Sequence, residues 1–259
     1  MFPAMTALPR PRTTLSEQAY DTLREMIVRG EMPPGTRLSE PELTERLSIG
    51  RTPLREALLR LVQDGLVAIY PQSGSFVTDI SLTQLEEAQF VRERLECGII
   101  RRVADRADKR ALTGLRSLLR RQEDASADAD AEQFHDLDDE LHESFCTIAG
   151  WPDVWRLIHR SKVHMDRVRR LSLPLEGQMP HLILQHRAIL DAVTQRDADG
   201  AEAAMRGHLR EVFSTVTLLR LDGAADIPTD DGDRRVSARR TLTGTPLNRA
   251  AATGPSEEN

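Results

Sequence analysis

The chain has 259 residues, is 39% hydrophobic and 4% aromatic, and carries a formal net charge of −6. That length suits about two domains at roughly 150 residues each, and the apolar content excludes wholesale disorder. An acidic total excludes indiscriminate, whole-surface binding to nucleic acid but allows one local basic element.

Scarce aromatics in Leu-, Ala- and Arg-rich segments favour helices over a β-sandwich. Cys97 and Cys146 are too few for a disulfide framework or a four-cysteine zinc site, and both fall inside helical patterns, so they are expected to be buried free thiols. No apolar run of about 18 residues occurs, so no membrane span is expected. Residues 1–14 lack a signal-peptide core and read as a flexible arm with Pro3, Pro9 and Pro11. The expectation is a cytoplasmic chain.

Residues 15–78 mix short helices with two short strands. Leu15, Ala19, Leu23, Met26 and Ile27 make one amphipathic stripe ending at Gly30. After Pro33-Pro34-Gly35, Ser39 with Glu42 three residues on reads as a capping box that starts a short helix through Leu43 and Leu47. In the next helix Leu54, Leu58 and Leu61 form the packing ridge, while Arg51 and Arg55 share another face at its start. From 46 to 61, Arg46, Arg51, Arg55 and Arg60 stand against one acid, Glu56, an excess hidden by the total charge. Leu66–Tyr70, a turn at Pro71–Gly74, and Ser75–Thr78 read as a hairpin wing. Three helices and a hairpin in this order make a winged helix-turn-helix. Arginines at the start of its third helix suit the forked hydrogen bonds that guanine offers in the major groove, and Thr52 with nearby backbone N–H groups suits a phosphate.

Residues 81–221 show helical periodicity only, interrupted at five places, which predicts an all-helical bundle of about six helices. The fold class is therefore mainly α. Residues 222–259 are polar and Gly/Pro-rich and are expected to form a disordered tail. Within the bundle Arg92 and Glu96 are spaced as an i,i+4 ion pair. Asp138 and His142 project from one face of the helix 131–149, with His186 and His208 on two later helices. Three imidazoles and a carboxylate suit a divalent metal such as Zn, Ni, Mn or Fe. His135, Glu132 and Asp139 compete as partners, and His159, His164 and His181 have no readable role.

The stretch Leu23–Ile27, Pro34–Glu40, Leu43–Leu47, Arg51–Leu58, Gly65–Val67 and Gly74–Val77 resembles the GntR-family winged helix. The resemblance implies that Arg51 and Arg55 read bases or adjacent phosphates, that Thr52 holds backbone, and that a Ser73-Gly74 wing tip reaches the minor groove. Where the family usually has Gly-Val-Ser before the first arginine, this chain has Ser48-Ile49-Gly50. The blocks Arg92–Glu96, Asp138–His142, His186–Val193 and Ala201–Leu209 are similar to the FCD ligand-binding domain of the FadR subfamily. That resemblance implies Asp138, His142, His186 and His208 as the metal set and Arg92 as a pocket arginine for the effector. It departs at Trp151-Pro152 and at Gln185, where glutamate is common. Together these readings imply a ligand-responsive regulator, most simply a repressor. It would act as a homodimer on a double-stranded DNA operator and answer to a small carboxylate effector.

A metal-dependent helical-bundle enzyme is the alternative, since Glu132-x-x-His135 is half of a di-iron signature. No second helix supplies the other half, and no phosphate loop, nucleophile elbow or His-Glu-x-x-His motif occurs, so no catalysis is expected. A module whose winged helix binds protein is disfavoured by the arginine-led third helix.

Overall fold

A computed structural model describes residues 13–221. Most of the expected arm and all of the expected tail lie outside the described residues.

Helix α1 (Leu15–Val28) begins at Thr14, whose hydroxyl accepts from the Glu17 N–H while the Thr14 N–H donates to Glu17 at 2.8 Å. It buries Ala19, Leu23, Met26 and Ile27, as the stripe predicts, but Leu15 faces solvent in the first turn. Strand β1 (Arg37–Leu38) follows, then α2 (Glu40–Leu47) and α3 (Arg51–Gln63). Ser39 does sit at the N-cap of α2, yet its side chain makes no capping bond. Pro41 in the first turn has no N–H, which removes one of the two donors such a cap uses. Gly50 caps α3 through backbone alone.

Strands β2 (Val67–Tyr70) and β3 (Gly74–Val77) pair antiparallel, with Tyr70 opposite Gly74 across the wing turn. The two-residue β1 adds to the free edge of β3, pairing Arg37 with Phe76, for a sheet order β1-β3-β2. Sequence reading missed this strand because two residues carry no alternation. Leu23, Ile27, Leu38, Leu54, Leu58, Leu61, Leu66 and Val77 form the core of this part.

Seven helices follow: α4 (Leu82–Arg106), α5 (Lys109–Ala127), α6 (Ala131–Ala149), α7 (Pro152–Ser161), α8 (Val163–Ser172), α9 (Gln178–Thr194) and α10 (Ala198–Leu221). Side chains of Ser81, Asp108 and Asp130 cap α4, α5 and α6, and Gly150 ends α6 in the left-handed region at φ 85°. The stretch read as one helix after Pro152 is divided at Lys162, giving α7 and α8 and one helix more than expected. Helix α9 starts at Gln178, and Pro180 falls in its first turn where a missing N–H is harmless. Phe134, Leu137, Leu141 and Phe145 of α6 anchor a core shared with Ile100, Leu115, Ile189 and Met205.

Helix α8 touches both parts. Val163 enters the core of the N-terminal part. Asp166 lies 3.5 Å from Arg24 of α1, and Arg170 lies 3.3 Å from Glu25. Arg167 donates to the carbonyls of Thr78 and Asp79 at 2.9 and 3.3 Å, holding the connection between wing and bundle. Burial lowers the pKa of Arg167 to about 10, and only Asp79 opposes it.

Candidate metal centre and nucleic-acid interface

The four expected ligands converge. Asp138 and His142 come from α6, His186 from α9 and His208 from α10, all four are buried, and their ligand atoms lie within 4.8 Å of one another.

The surroundings fix which nitrogen of each ring points inward. Gln122 donates its amide N–H to the Leu137 carbonyl at 3.1 Å, so its oxygen faces His186 Nδ1 at 2.8 Å and that nitrogen must donate. His186 Nε2 is then left to take up a proton or a cation. It lies 3.1 Å from Asp138 Oδ1, and neither atom has a hydrogen-bond partner among the described residues. Burial would raise the Asp138 pKa, but Arg169 and the nearby imidazoles hold it well below the carboxylate range. Burial lowers that of His186. A charged oxygen facing an imidazole nitrogen in a dry interior is repulsive unless a proton or a cation lies between them.

The other two rings repeat the pattern. His142 Nδ1 bonds to Glu96, whose other oxygen accepts from Arg92 Nε at 2.6 Å. His208 Nδ1 lies 2.9 Å from Gln185 Oε1, and the Gln185 amide nitrogen faces Glu211 at 3.4 Å. The two Nε2 atoms are left facing each other at 3.2 Å, so either a proton or a cation must sit between them. Burial and the neighbouring rings hold the His208 pKa well below the usual imidazole value. Each inward Nε2 is thus backed by a partner on Nδ1, the outer-shell arrangement that orients metal-binding histidines. The donor set is three nitrogens and one carboxylate, which fits a divalent transition metal.

Arg92 is not the surface pair that its spacing suggests. Only 4% exposed, it is the outer end of a buried chain from Arg92 through Glu96 to His142. Burial would raise the Glu96 pKa, yet Arg92 and His142 bring it down to about 2. Three further features went unread in the sequence. Arg169 approaches Asp138 Oδ2 to 3.8 Å. Gln185, noted only as a departure, orients His208. Gln89, one turn before Arg92 on the buried face of α4, is 5% exposed, and neither amide atom has a hydrogen-bond partner among the described residues.

His135 and Asp139 belong to a separate cluster with Asp166. Lys162 Nζ already sits there, 2.8 Å from Asp139 and in contact with Asp166, so an ammonium supplies the cation. Glu132 pairs with Arg170 and takes no part in either group. Cys97 and Cys146 are buried free thiols, pushed by burial to about 11 and 12, values that keep them protonated.

At the other end of the molecule Leu54, Leu58 and Leu61 bury one side of α3. Arg51, Thr52 and Arg55 are exposed on it, as is Ser73 of the wing. Gly74 has φ +114°, which an L side chain rarely adopts, and Arg37 Nε lies 3.4 Å from where a Cβ would stand. Arg60 instead covers the Tyr20 ring at 4.1 Å, so it serves packing.

Residues 15–77 match the bacterial regulatory protein gntR family, and residues 87–211 match the FCD domain. The chain is 35% identical to the HTH-type transcriptional repressor RspR of Escherichia coli K12, over 83% of this chain and 94% of that protein. The chain belongs to the GntR family of bacterial transcriptional regulators. It is also 38% identical to an HTH-type transcriptional regulator in an unstable DNA locus of Streptomyces ambofaciens, over 82% of this chain and 89% of that one. Its fold is shared with E. coli McbR/YncC at a TM-score of 0.67 and 22% identity, over 82% of this chain and 100% of that one. A GntR-type regulator from Rhodococcus sp. RHA1 matches at 0.61 and 22% identity, over 79% and 97%. As a GntR regulator with an FCD domain, this chain is a DNA-binding protein and not an enzyme. Among the described residues no helix is long and apolar enough to cross a membrane.

Proposed function

We propose that this GntR regulator is a cytoplasmic, homodimeric repressor. Its residues 15–78 would read an operator and its residues 81–221 would bind a metal ion and a small organic acid. The observation that carries the sensor reading is the Asp138–His186 contact, a buried carboxylate 3.1 Å from an inward imidazole nitrogen, with neither atom hydrogen-bonded among the described residues. Asp138, His142, His186 and His208 would hold the ion, which when bound supplies positive charge and open coordination positions for a carboxylate oxygen. Arg169 stands ready to fork an effector carboxylate, and Arg92 fixes Glu96 and through it His142. Gln89 offers one donor and one acceptor to a second polar group of the acid.

Helix α8 carries Arg169 beside Asp138 and, one residue later, Arg170 against Glu25 of α1. An acid that binds Arg169 better in one position of α8 than another shifts the reading head accordingly, by no more than that difference in affinity. A twofold dimer would then match a palindromic operator.

Gln89→Leu removes an unpaired buried amide. It should raise ligand-free stability by about 1–3 kcal/mol in denaturant unfolding, because both polar atoms currently lack partners. A lower stability would show that the amide is already satisfied.

The DNA reading rests on exposed Arg51 and Arg55 over a buried leucine ridge. In gel shifts on a duplex selected from a random pool, Arg51→Ala and Arg55→Ala should each weaken binding by about 1–3 kcal/mol at fixed salt. They should do far less on a scrambled duplex. Unchanged affinity in both variants defeats the assignment.

A further inference from the structure

Arg55 is held before any DNA arrives. Its Nε donates to both carboxylate oxygens of Glu40, at 3.0 and 3.1 Å. Glu40 is the first residue of α2, and Arg55 lies in the second turn of α3, so the contact bridges the two helices of the reading unit. The glutamate is the more sheltered partner, with 33% of its side chain exposed against 63% for Arg55. The grip uses Nε alone. Among the described residues neither terminal nitrogen of Arg55 makes a hydrogen bond, and the Glu40 charge raises the arginine pKa further.

A guanidinium can meet guanine in two ways, side-on through Nε and one terminal nitrogen, or end-on through both terminal nitrogens. With Nε taken, only the end-on fork remains. Fixing the long side chain beforehand also removes the rotamer freedom that DNA binding would otherwise have to freeze. The carboxylate adds negative charge beside the phosphates, which weakens sequence-independent attraction. The positioning widens the gap between the right duplex and any other, while the charge lowers affinity for every duplex alike.

We propose that Glu40 is a specificity-determining positioning residue that holds Arg55 by Nε and presents its two terminal nitrogens end-on to a single guanine. This rests on the base-reading role of Arg55, and the experiment separates the two. The intact chain is used to enrich a duplex from a randomised pool. Affinities for that duplex and a scrambled one are then measured at about 0.15 M salt for wild type, Glu40→Gln, Glu40→Ala and Arg55→Ala. Thermal unfolding checks that each variant is folded.

Glu40→Gln keeps a neutral acceptor for Nε, so its ratio of specific to scrambled affinity should stay within about threefold of wild type. Glu40→Ala should lose roughly 5- to 100-fold in that ratio, the range for one guanine contact. Both variants should bind the scrambled duplex more tightly than wild type. Adding Glu40→Ala to Arg55→Ala should cost nothing more, since the glutamate acts through the arginine. A Glu40→Ala protein that discriminates as wild type does, while Arg55→Ala does not, overturns the role of Glu40 and leaves Arg55 as a reader. Equal losses in the Gln and Ala variants also overturn it, because charge and not positioning is then at work. If Arg55→Ala discriminates normally, or no duplex is enriched, the base-reading assignment fails first and takes this proposal with it.

Discussion

Lys162→Met is expected to destabilise the chain by about 3–5 kcal/mol, the cost of leaving buried charge without its partner. Lys162 is 2% exposed and sits between Asp139, at 2.8 Å, and Asp166. Arg24 of α1 pairs with Asp166 at 3.5 Å but has no ion pair with Asp139 among the described residues, so it does not replace the ammonium between the two acids. Methionine fills the same volume, so the loss reports charge and not packing. Burial raises the pKa of Asp166 and lowers that of Lys162, but their mutual attraction wins: the acid titrates below its ordinary value and the amine above. The depressed acid contributes stability that is present above its unfolded pKa near 3.9 and lost as pH falls through the folded value. The elevated amine contributes stability present below about 10.4 and lost as pH rises through its folded value. Wild-type stability from the acid–amine pair should therefore be level from about pH 5 to 9, while His135, whose pKa burial lowers, contributes stability that is lost as pH falls below its unfolded value near 6.5. In Lys162→Met the carboxylates gain by taking up protons, so stability should rise as the solution is acidified from pH 7 to 5. Urea unfolding at the two pH values reads both effects. A loss under about 1 kcal/mol with no reversed slope would mean that solvent compensates the cluster.

The residues that repeat at helical spacing were the legible ones. Leu54, Leu58 and Leu61 placed the arginines of α3 outward because a three-and-four ridge has one buried side. Asp138 and His142 share a face for the same reason, but nothing local brings His186 and His208 to them; the resemblance did that, and the structure brings all four together. The residues that orient the rings, Glu96, Gln122 and Gln185, lie on three helices and 23 to 64 positions from the histidines they serve. Such contacts follow from helix packing and have no periodic trace. The helix break at Lys162 was hidden similarly, since the apolar rhythm runs on and the turn is held by an ion cluster from α6 and α8. Ser39-x-x-Glu42 and Thr14-x-x-Glu17 are the same pattern in sequence, yet only the second forms a capping box; in the first, Pro41 removes the N2 donor and the Ser39 side chain makes no bond to the N3 one.

Adding Zn²⁺ to the metal-free chain should raise its stability by about 4 kcal/mol once free metal reaches a thousandfold excess over its Kd. His186→Ala and His208→Ala should each abolish most of that gain. The reason lies in the preorganised centre: Asp138 Oδ1 and His186 Nε2 are 3.1 Å apart and neither meets a hydrogen-bond partner among the described residues. A cation there replaces a cost by two bonds, whereas removing the ring leaves a carboxylate and two histidines with Arg169 nearby. Gln122→Leu is the finer probe. It frees His186 Nδ1 from the bond that sets the ring's inward nitrogen, so it should weaken metal binding by about 10- to 100-fold while leaving every ligand in place. Thermal unfolding with and without metal, alongside metal analysis after dialysis, measures all three variants. Full metal retention by both His186→Ala and His208→Ala would rule out the four-ligand centre. Wild-type affinity in Gln122→Leu would instead keep the ligands and discard the orienting role of the amide.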